Sequence, residues 1–274
     1  MQAVQTPETH SALAARNIVC WGSSGSGKSS LAVNLACELA DMGQLVLLVD
    51  GDSYQPSLAA MLAINSPGPG ITAALRLVRA GRFDFAELER LGHKIELNQK
   101  SLRLISGMNN PARWSELDSS ALAAFTSQVA AWFDFVVWDI ASHLESGVVG
   151  GELGAERNAA SNTIIGLADS VLATFLADPV GINRFLFDIR CIGRDYIPIA
   201  NRVRSSVLGR QPERQLRDAL FQLARVKLNF EIPEDQGFDE MLKNVRPLML
   251  QSNRSKARET IRQLAQELMD MQNG

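Results

Sequence analysis

The chain has 274 residues, 46% apolar and 21% charged, with a formal net charge of −3. Such a composition supports a large buried core. It excludes a disordered polyelectrolyte and a globally basic nucleic-acid binder, though not a local basic face. No run of about 18 uncharged apolar residues is present, and no basic segment followed by an apolar stretch opens the chain. Cys20, Cys37 and Cys191 read as small buried apolar side chains in a reducing compartment, not as a disulfide framework. A soluble, cytoplasmic protein is expected, with no transmembrane segment.

Residues 1–16 are polar and unpatterned and are expected to be flexible. From 17 to 271 the pattern predicts a single domain. Asn17–Trp21 is a short apolar run ending in a Ser/Gly cluster, which predicts a buried strand. Lys28–Met42 predicts a helix that stops at Gly43. Gln44–Asp50 is continuously apolar up to its aspartate, as in a parallel strand covered on both faces. Helices follow near Ser57–Ala63, Thr72–Ala80 and Phe85–Leu91, then a short strand at Leu102–Ser106 and a helix at Ser119–Trp132. Phe133–Asp139, Ser170–Leu176 and Ile197–Ala200 read as further strands, with a short one at Lys227–Glu231. The Gly/Ala/Asn-rich stretch Gly147–Asn162 reads as a loop leading into a helix. Helices are expected at Gly181–Arg194, Pro212–Arg225, Gly237–Lys243 and Lys256–Met271. The last carries apolar residues at Ile261, Leu264, Ala265, Leu268 and Met269, the spacing of one helix face. This alternation predicts an α/β fold: a mostly parallel twisted sheet of about seven strands with helices on both faces.

Gly22-Ser-Ser-Gly-Ser-Gly-Lys28-Ser29 fits G-x-x-x-x-G-K-[ST], after a strand and at the start of a helix. The glycines let the backbone curl so that successive N–H groups point inward at phosphate oxygens. That reading assigns Gly22, Ser24, Gly25, Ser26, Gly27, Lys28, Ser29 and Ser30 to nucleotide binding. Lys28 is expected on the β- and γ-phosphates and Ser29 on Mg²⁺, with the helix dipole aimed at the same charge. Such a loop needs carboxylates to hold the metal and its waters. Two strands end in them: Phe133–Asp139 in Asp139, and Gln44–Asp50 in Asp50-Gly-Asp52. Asp139 is expected in the metal shell, Asp52 at the metal and the attacking water, and Asp50 in a supporting role.

Together these residues resemble the MinD/ParA family of deviant Walker A ATPases. The resemblance covers GSSGSGKSSLAVNLACELA, LVLLVDGDSYQPSL, FDFVVWD, ADSVLATFLADPVGINR, NRVR and EIPEDQGFDEML, from about Asn17 to Leu268. It implies a P-loop NTPase fold, Mg·ATP as ligand, and Lys28, Asp52 and Asp139 as catalytic groups. It also implies adenine recognition by Asn201 with Arg202, and a segment beside the base at Pro233-Glu-Asp235. Arg204 stands where guanine-specific sites place an acceptor, and an arginine accepts no hydrogen bonds, which favours ATP over GTP. The family's second lysine, which reaches across an ATP-dependent dimer, is replaced by Ser23. That departure, the segment SLRLISGMNNPARWSEL and the closing helices resemble the CpaE/TadZ-like branch, which serves pilus assembly and localisation. A slow ATPase acting as a localisation or assembly switch is expected, with a protein partner and an ATP-dependent homodimer. The alternatives are a DNA-partition ATPase and a nucleotide-bound scaffold that does not hydrolyse.

Arg202, Arg204, Arg210, Arg214 and Arg217 form either a DNA-contacting face or a solvated one paired with Glu213 and Asp218; the paired face is preferred. The charges of the last helix cancel, which favours core or partner packing over membrane contact. No Cys/His spacing fits a zinc site.

Overall fold

The computed structural model describes residues 16–145, 151–251 and 254–271. The segment expected to be flexible lies outside the described residues, except for Arg16, which opens the first strand. The strands are β1 (Arg16–Gly22), β2 (Val46–Gly51), β3 (His93–Glu96), β4 (Ser101–Ile105), β5 (Phe135–Ile140), β6 (Ser170–Leu176), β7 (Ile197–Val203) and β8 (Phe230–Pro233). They form one sheet in the order β3-β4-β2-β5-β1-β6-β7-β8. All pairings are parallel except β3 with β4. The eighth strand, one more than expected, is this antiparallel edge. His93–Glu96 holds a single aliphatic residue among polar ones, so it carries no apolar run for a pattern search to find.

The helices are α1 (Lys28–Asp41), α2 (Leu58–Met61), α3 (Gly70–Arg79), α4 (Phe85–Leu91), α5 (Ser119–Val129), α6 (Gly151–Gly166), α7 (Pro179–Asp188), α8 (Ser205–Leu208), α9 (Pro212–Ala224), α10 (Gly237–Asn244) and α11 (Lys256–Asp270). Side-chain caps explain several starts. Asp84 accepts from Glu87 N (2.8 Å), Asp118 from Ala121 N (2.9 Å) and Asp178 from Gly181 N (2.7 Å). The Asp178 cap, with Pro179 behind it, starts α7 earlier than expected. α7 then ends at Asp188 and passes into a short 3₁₀ turn, Ile189–Cys191. That turn carries Cys191 to the surface, correcting the expectation of a third buried cysteine; Cys20 and Cys37 are buried. The Gly/Ala/Asn-rich stretch 147–162, expected as a loop leading into a helix, is helical from Gly151 on, so the loop is shorter than expected; residues 146–150 lie outside the described residues.

Alternate residues of each strand feed two separate cores, as the period of two demands. Val19, Trp21, Leu47, Val49, Val136 and Trp138 face a layer drawn from α3, α4, α5, α6, α7 and α9. Ile18, Cys20, Leu48, Phe135 and Val137 face α1, α10 and α11. Strands clad on both sides must be apolar at every position, which is why they read as unbroken apolar runs. The apolar stripe of α11 (Ala257, Ile261, Leu264, Ala265 and Leu268) is wholly buried against this second core. Buried Glu38 of α1 pins it further, accepting from Arg258 Nε (2.6 Å) and Arg262 Nη1 (2.8 Å). The helix therefore packs as core, as its cancelled charges suggested. Among the described residues no helix is long and apolar enough to cross a membrane.

Candidate functional site

β1 lies between β5 and β6, whereas the next strand in sequence, β2, lies on the far side of β5. Chain direction diverges at β1, and such a point opens a crevice beyond the carboxyl ends of the strands. The Gly22–Ser29 loop leaves β1 into that crevice and runs into α1. Two glycines are obligatory there. A Cβ on Gly22 would lie 2.1 Å from Thr174 O of β6, and one on Gly27, at φ +93°, would lie 2.1 Å from Asn201 Nδ2. No side chain caps α1, and no acidic residue sits in its first turn. Its N-terminal amides are left to an anion from outside. The Ser26 hydroxyl, buried beneath the loop, has no partner in the structure.

A cavity of about 500 Å³ opens here, lined by Ser24, Gly25, Gly27–Ser30, Asp52 and Arg202 from the expected set. It is also lined by Tyr54, Gln55, Ser57, Ser142 and His143, which motif reading did not single out. Lys28 Nζ donates to Asp52 Oδ2 at 3.1 Å and to Asp139 Oδ1 at 3.5 Å. All three side chains are buried. Asp52 Oδ1 accepts from Tyr54 N (2.8 Å) and Gln55 N (2.9 Å). Burial works against the charge of Asp52, but Lys28 and these two amides outweigh it and lower its pKa. Burial likewise works against the charge of Lys28, and Asp139 and Asp52 overcome it, so the ammonium stays charged. Asp139 is different: burial raises its pKa, and the Lys28 charge and the Ser29 hydroxyl offset this only in part.

Asp50 supports the site as expected. Its Oδ2 accepts from Ser57 N (2.9 Å) and Leu58 N (3.0 Å), capping α2, and its Oδ1 accepts from Asp52 N at 3.2 Å. The residues fit Mg²⁺. Asp139 Oδ2 is buried with no hydrogen-bond partner in the structure, and an adjacent divalent cation would favour the charged carboxylate that burial disfavours. The Ser29 hydroxyl is near enough to the same carboxylate to lower its pKa.

The base-side residues are placed differently. Asn201 Nδ2 donates to Ser26 O (2.8 Å) and its Oδ1 accepts from Arg202 N (2.9 Å), so its amide holds the phosphate loop from below. Arg202, at φ +56°, turns into the cavity. Asp235, expected beside a base, has its carboxylate engaged elsewhere. It accepts from Gly237 N (2.8 Å), Ser255 Oγ (2.9 Å) and Ala257 N (3.1 Å), joining the turn after β8 to the start of α11. Pro233 closes β8, and Glu234 N donates to Val203 O (3.0 Å), keeping this turn beside the end of β7. Ser23, where the second lysine would stand, donates to Asp188 Oδ2 of α7 at 2.6 Å.

Of the five clustered arginines, Arg204 pairs with Glu234, Arg214 with Asp218 and Arg217 with Glu231. The preferred, paired reading of that face holds for these three, with Glu231 and Glu234 joining Asp218 as partners in place of Glu213.

A glycine-rich loop opening an uncapped helix, with a buried lysine held between two strand-terminal aspartates, defines a P-loop nucleotide-binding protein. The description "CobQ/CobB/MinD/ParA nucleotide binding domain" (CbiA) matches residues 18–248, and the chain belongs to that family. The antiactivator FleN of Pseudomonas aeruginosa is 24% identical over 260 residues, which cover 91% of this chain and 84% of FleN. The fold matches a ParA-family ATPase from Chlorobium tepidum (TM-score 0.74, 17% identity, 92% of this chain and 99% of that one). It also matches the septum site-determining protein MinD of Pyrococcus horikoshii complexed with Mg-ADP (TM-score 0.70, 20% identity, 94% and 97%).

Proposed function

We propose that the protein binds Mg·ATP, hydrolyses it slowly, and uses the ATP and ADP states as a switch in placing or assembling a cellular machine through a protein partner. The observation that carries this reading is the Lys28–Asp52–Asp139 constellation at the mouth of the phosphate loop. Loop amides and Lys28 hold the phosphates, and Ser29, Asp52 and Asp139 would hold Mg²⁺. The metal, when bound, neutralises charge that develops on the phosphate oxygens. Asp52 carries an ionised carboxylate fixed by two backbone amides, and it accepts a hydrogen bond from the attacking water. Catalysis of this kind is positioning and electrostatics. On the base side Asn201 supports the loop, Arg202 faces the cavity, and Pro233 and Asp235 shape the neighbouring turn.

Slow turnover follows from Ser23, which supplies no charge and is turned onto Asp188. A slow enzyme of this type acts by differential binding of its two nucleotide states. The resemblance to the CpaE/TadZ-like branch and the similarity to an antiactivator both favour a protein partner over DNA. Light scattering with Mg·ATP and with Mg·ADP, alongside phosphate release, tests the reading, with Lys28→Ala as control. A dimer with ATP alone and slow phosphate release are expected. A monomer in both states sinks the dimer switch, and retained nucleotide without phosphate release points to a scaffold.

A further inference from the structure

A cluster built on α6 grips both loops that carry the acidic groups. The Tyr54 amide fixes Asp52 Oδ1. The Tyr54 hydroxyl donates to Asn158 Oδ1 on α6 (2.8 Å), and its ring lies against that of His143, with centroids 4.6 Å apart. The Arg157 guanidinium, also on α6, sits 3.8 Å over the centre of the Tyr54 ring. It donates to Ser53 O through Nη2 (2.7 Å) and Nε (3.3 Å), and through Nη2 to Pro111 O (3.5 Å). Asn158 Nδ2 donates to Glu145 O (2.9 Å) in the segment after Asp139. Trp21 of β1 holds the same segment, donating from Nε1 to Ser142 O (3.0 Å).

The orientation of Asp52 depends on the backbone of residues 53–55, because its Oδ1 is held by the amides of Tyr54 and Gln55. That backbone is hooked at Ser53 O and at the Tyr54 ring by one planar guanidinium. A fork of donors and a stacking face are what arginine offers and lysine does not. Arg157 stands behind Tyr54 and is absent from the cavity lining, so it touches the loop and not the phosphates.

We propose that Arg157 is a positioning residue for the hydrolysis assigned above. Through Ser53 and Tyr54 it holds Asp52 in the orientation that aligns water. Through Tyr54–His143 and Asn158–Glu145 the same helix ties that loop to the segment following Asp139. This inference rests on the reading of the site as an ATP-hydrolysing one.

The test uses the full chain carrying Arg157→Gln, Arg157→Lys or Tyr54→Phe. Small misplacements of a catalytic group cost up to about 100-fold, so both Arg157 variants should lose about 10- to 100-fold in kcat. KM for ATP and the Kd of ADP should stay within about twofold, since the loop amides and Lys28 are untouched. Lysine should not rescue. Hydrogen exchange at the Tyr54 and Gln55 amides should speed up in both variants, with the amides of residues 24–30 unchanged. Tyr54→Phe removes one neutral hydrogen bond and keeps the ring; it should cost about fivefold in kcat, and it serves if the Arg157 variants do not fold.

A matching loss of ATP affinity, full rescue by lysine, or unchanged kcat and exchange in an actively hydrolysing protein would each overturn the proposal. If the wild type releases no phosphate, the functional reading falls instead. The exchange of Tyr54 and Gln55 then still decides whether Arg157 holds the loop.

Discussion

The Lys28 side of the cleft and the turn after β8 both place aspartates at or just past the ends of strands, and they use them differently. On the Lys28 side, Asp52 gives one oxygen to backbone amides and the other to Lys28, and Asp139 leaves one oxygen without a partner. In the turn after β8, Asp235 is engaged by two amides and a hydroxyl. An ionised carboxylate has about four lone-pair sites, so three hydrogen bonds leave Asp52 one for a water. What separates it from Asp235 is its place beside Lys28 and the glycine-rich loop, not a vacant oxygen. Asp50, two residues from Asp52, is tied by three amides and serves as a cap. Position at a strand end nominates an aspartate, and its surroundings decide its work.

Four experiments would break or sharpen this contrast. Lys28→Ala should have the largest effect, at least about 100-fold in ATP affinity, or roughly 3 kcal/mol; calorimetric titration reads it, and unchanged affinity would remove Lys28 from the phosphates. Gly22→Ala forces a Cβ against Thr174 O and should destabilise by about 1–3 kcal/mol. It should also distort the loop, read as a lower urea midpoint together with weaker ADP binding.

Asp235→Asn should cost about 1–2 kcal/mol of stability through weakened hydrogen bonds, with ATP affinity unchanged. Loss of affinity in the folded variant would return Asp235 to the nucleotide. The pH dependence separates the two roles further. Burial opposes the charge of Asp235, but the Ala257 and Gly237 amides and the Ser255 hydroxyl lower its pKa below the usual 3.8. Its stabilisation is therefore present above that value and is lost as pH falls through the lower folded one. Urea midpoints at neutral pH and at about pH 3 should differ less for Asp235→Asn than for the wild type. The smallest effect is expected from Arg214→Gln, whose exposed pair with Asp218 contributes at most about 1 kcal/mol. If that variant abolished salt-sensitive binding to nonspecific duplex, the DNA reading would revive.

What could be read from the chain was local in sequence. A loop of eight residues sets its own backbone curl, and a strand buried on both faces declares itself in four or more consecutive apolar residues. The phosphate loop, the aspartates ending β2 and β5 and the alternation of strand and helix were legible for that reason. β3 was not, because a polar four-residue edge leaves no periodic trace. The exposed Cys191 was missed because composition says that cysteines are usually buried and nothing local marks the end of α7.

Tyr54, His143 and Arg157 were not legible as a group either. Tyr54 and Asn158 lie 104 residues apart in sequence and meet only because α6 packs behind the crevice. By itself the sequence determined the glycine-rich loop, the lysine and the strand ends that meet at one crevice, and that the surrounding sheet is mostly parallel. Only the tertiary structure decided which groups each carboxylate meets and what holds Asp52 in place. Those outcomes depend on hydrogen-bond partners supplied by distant segments, and a partner that arrives by packing leaves no mark near the residue it meets.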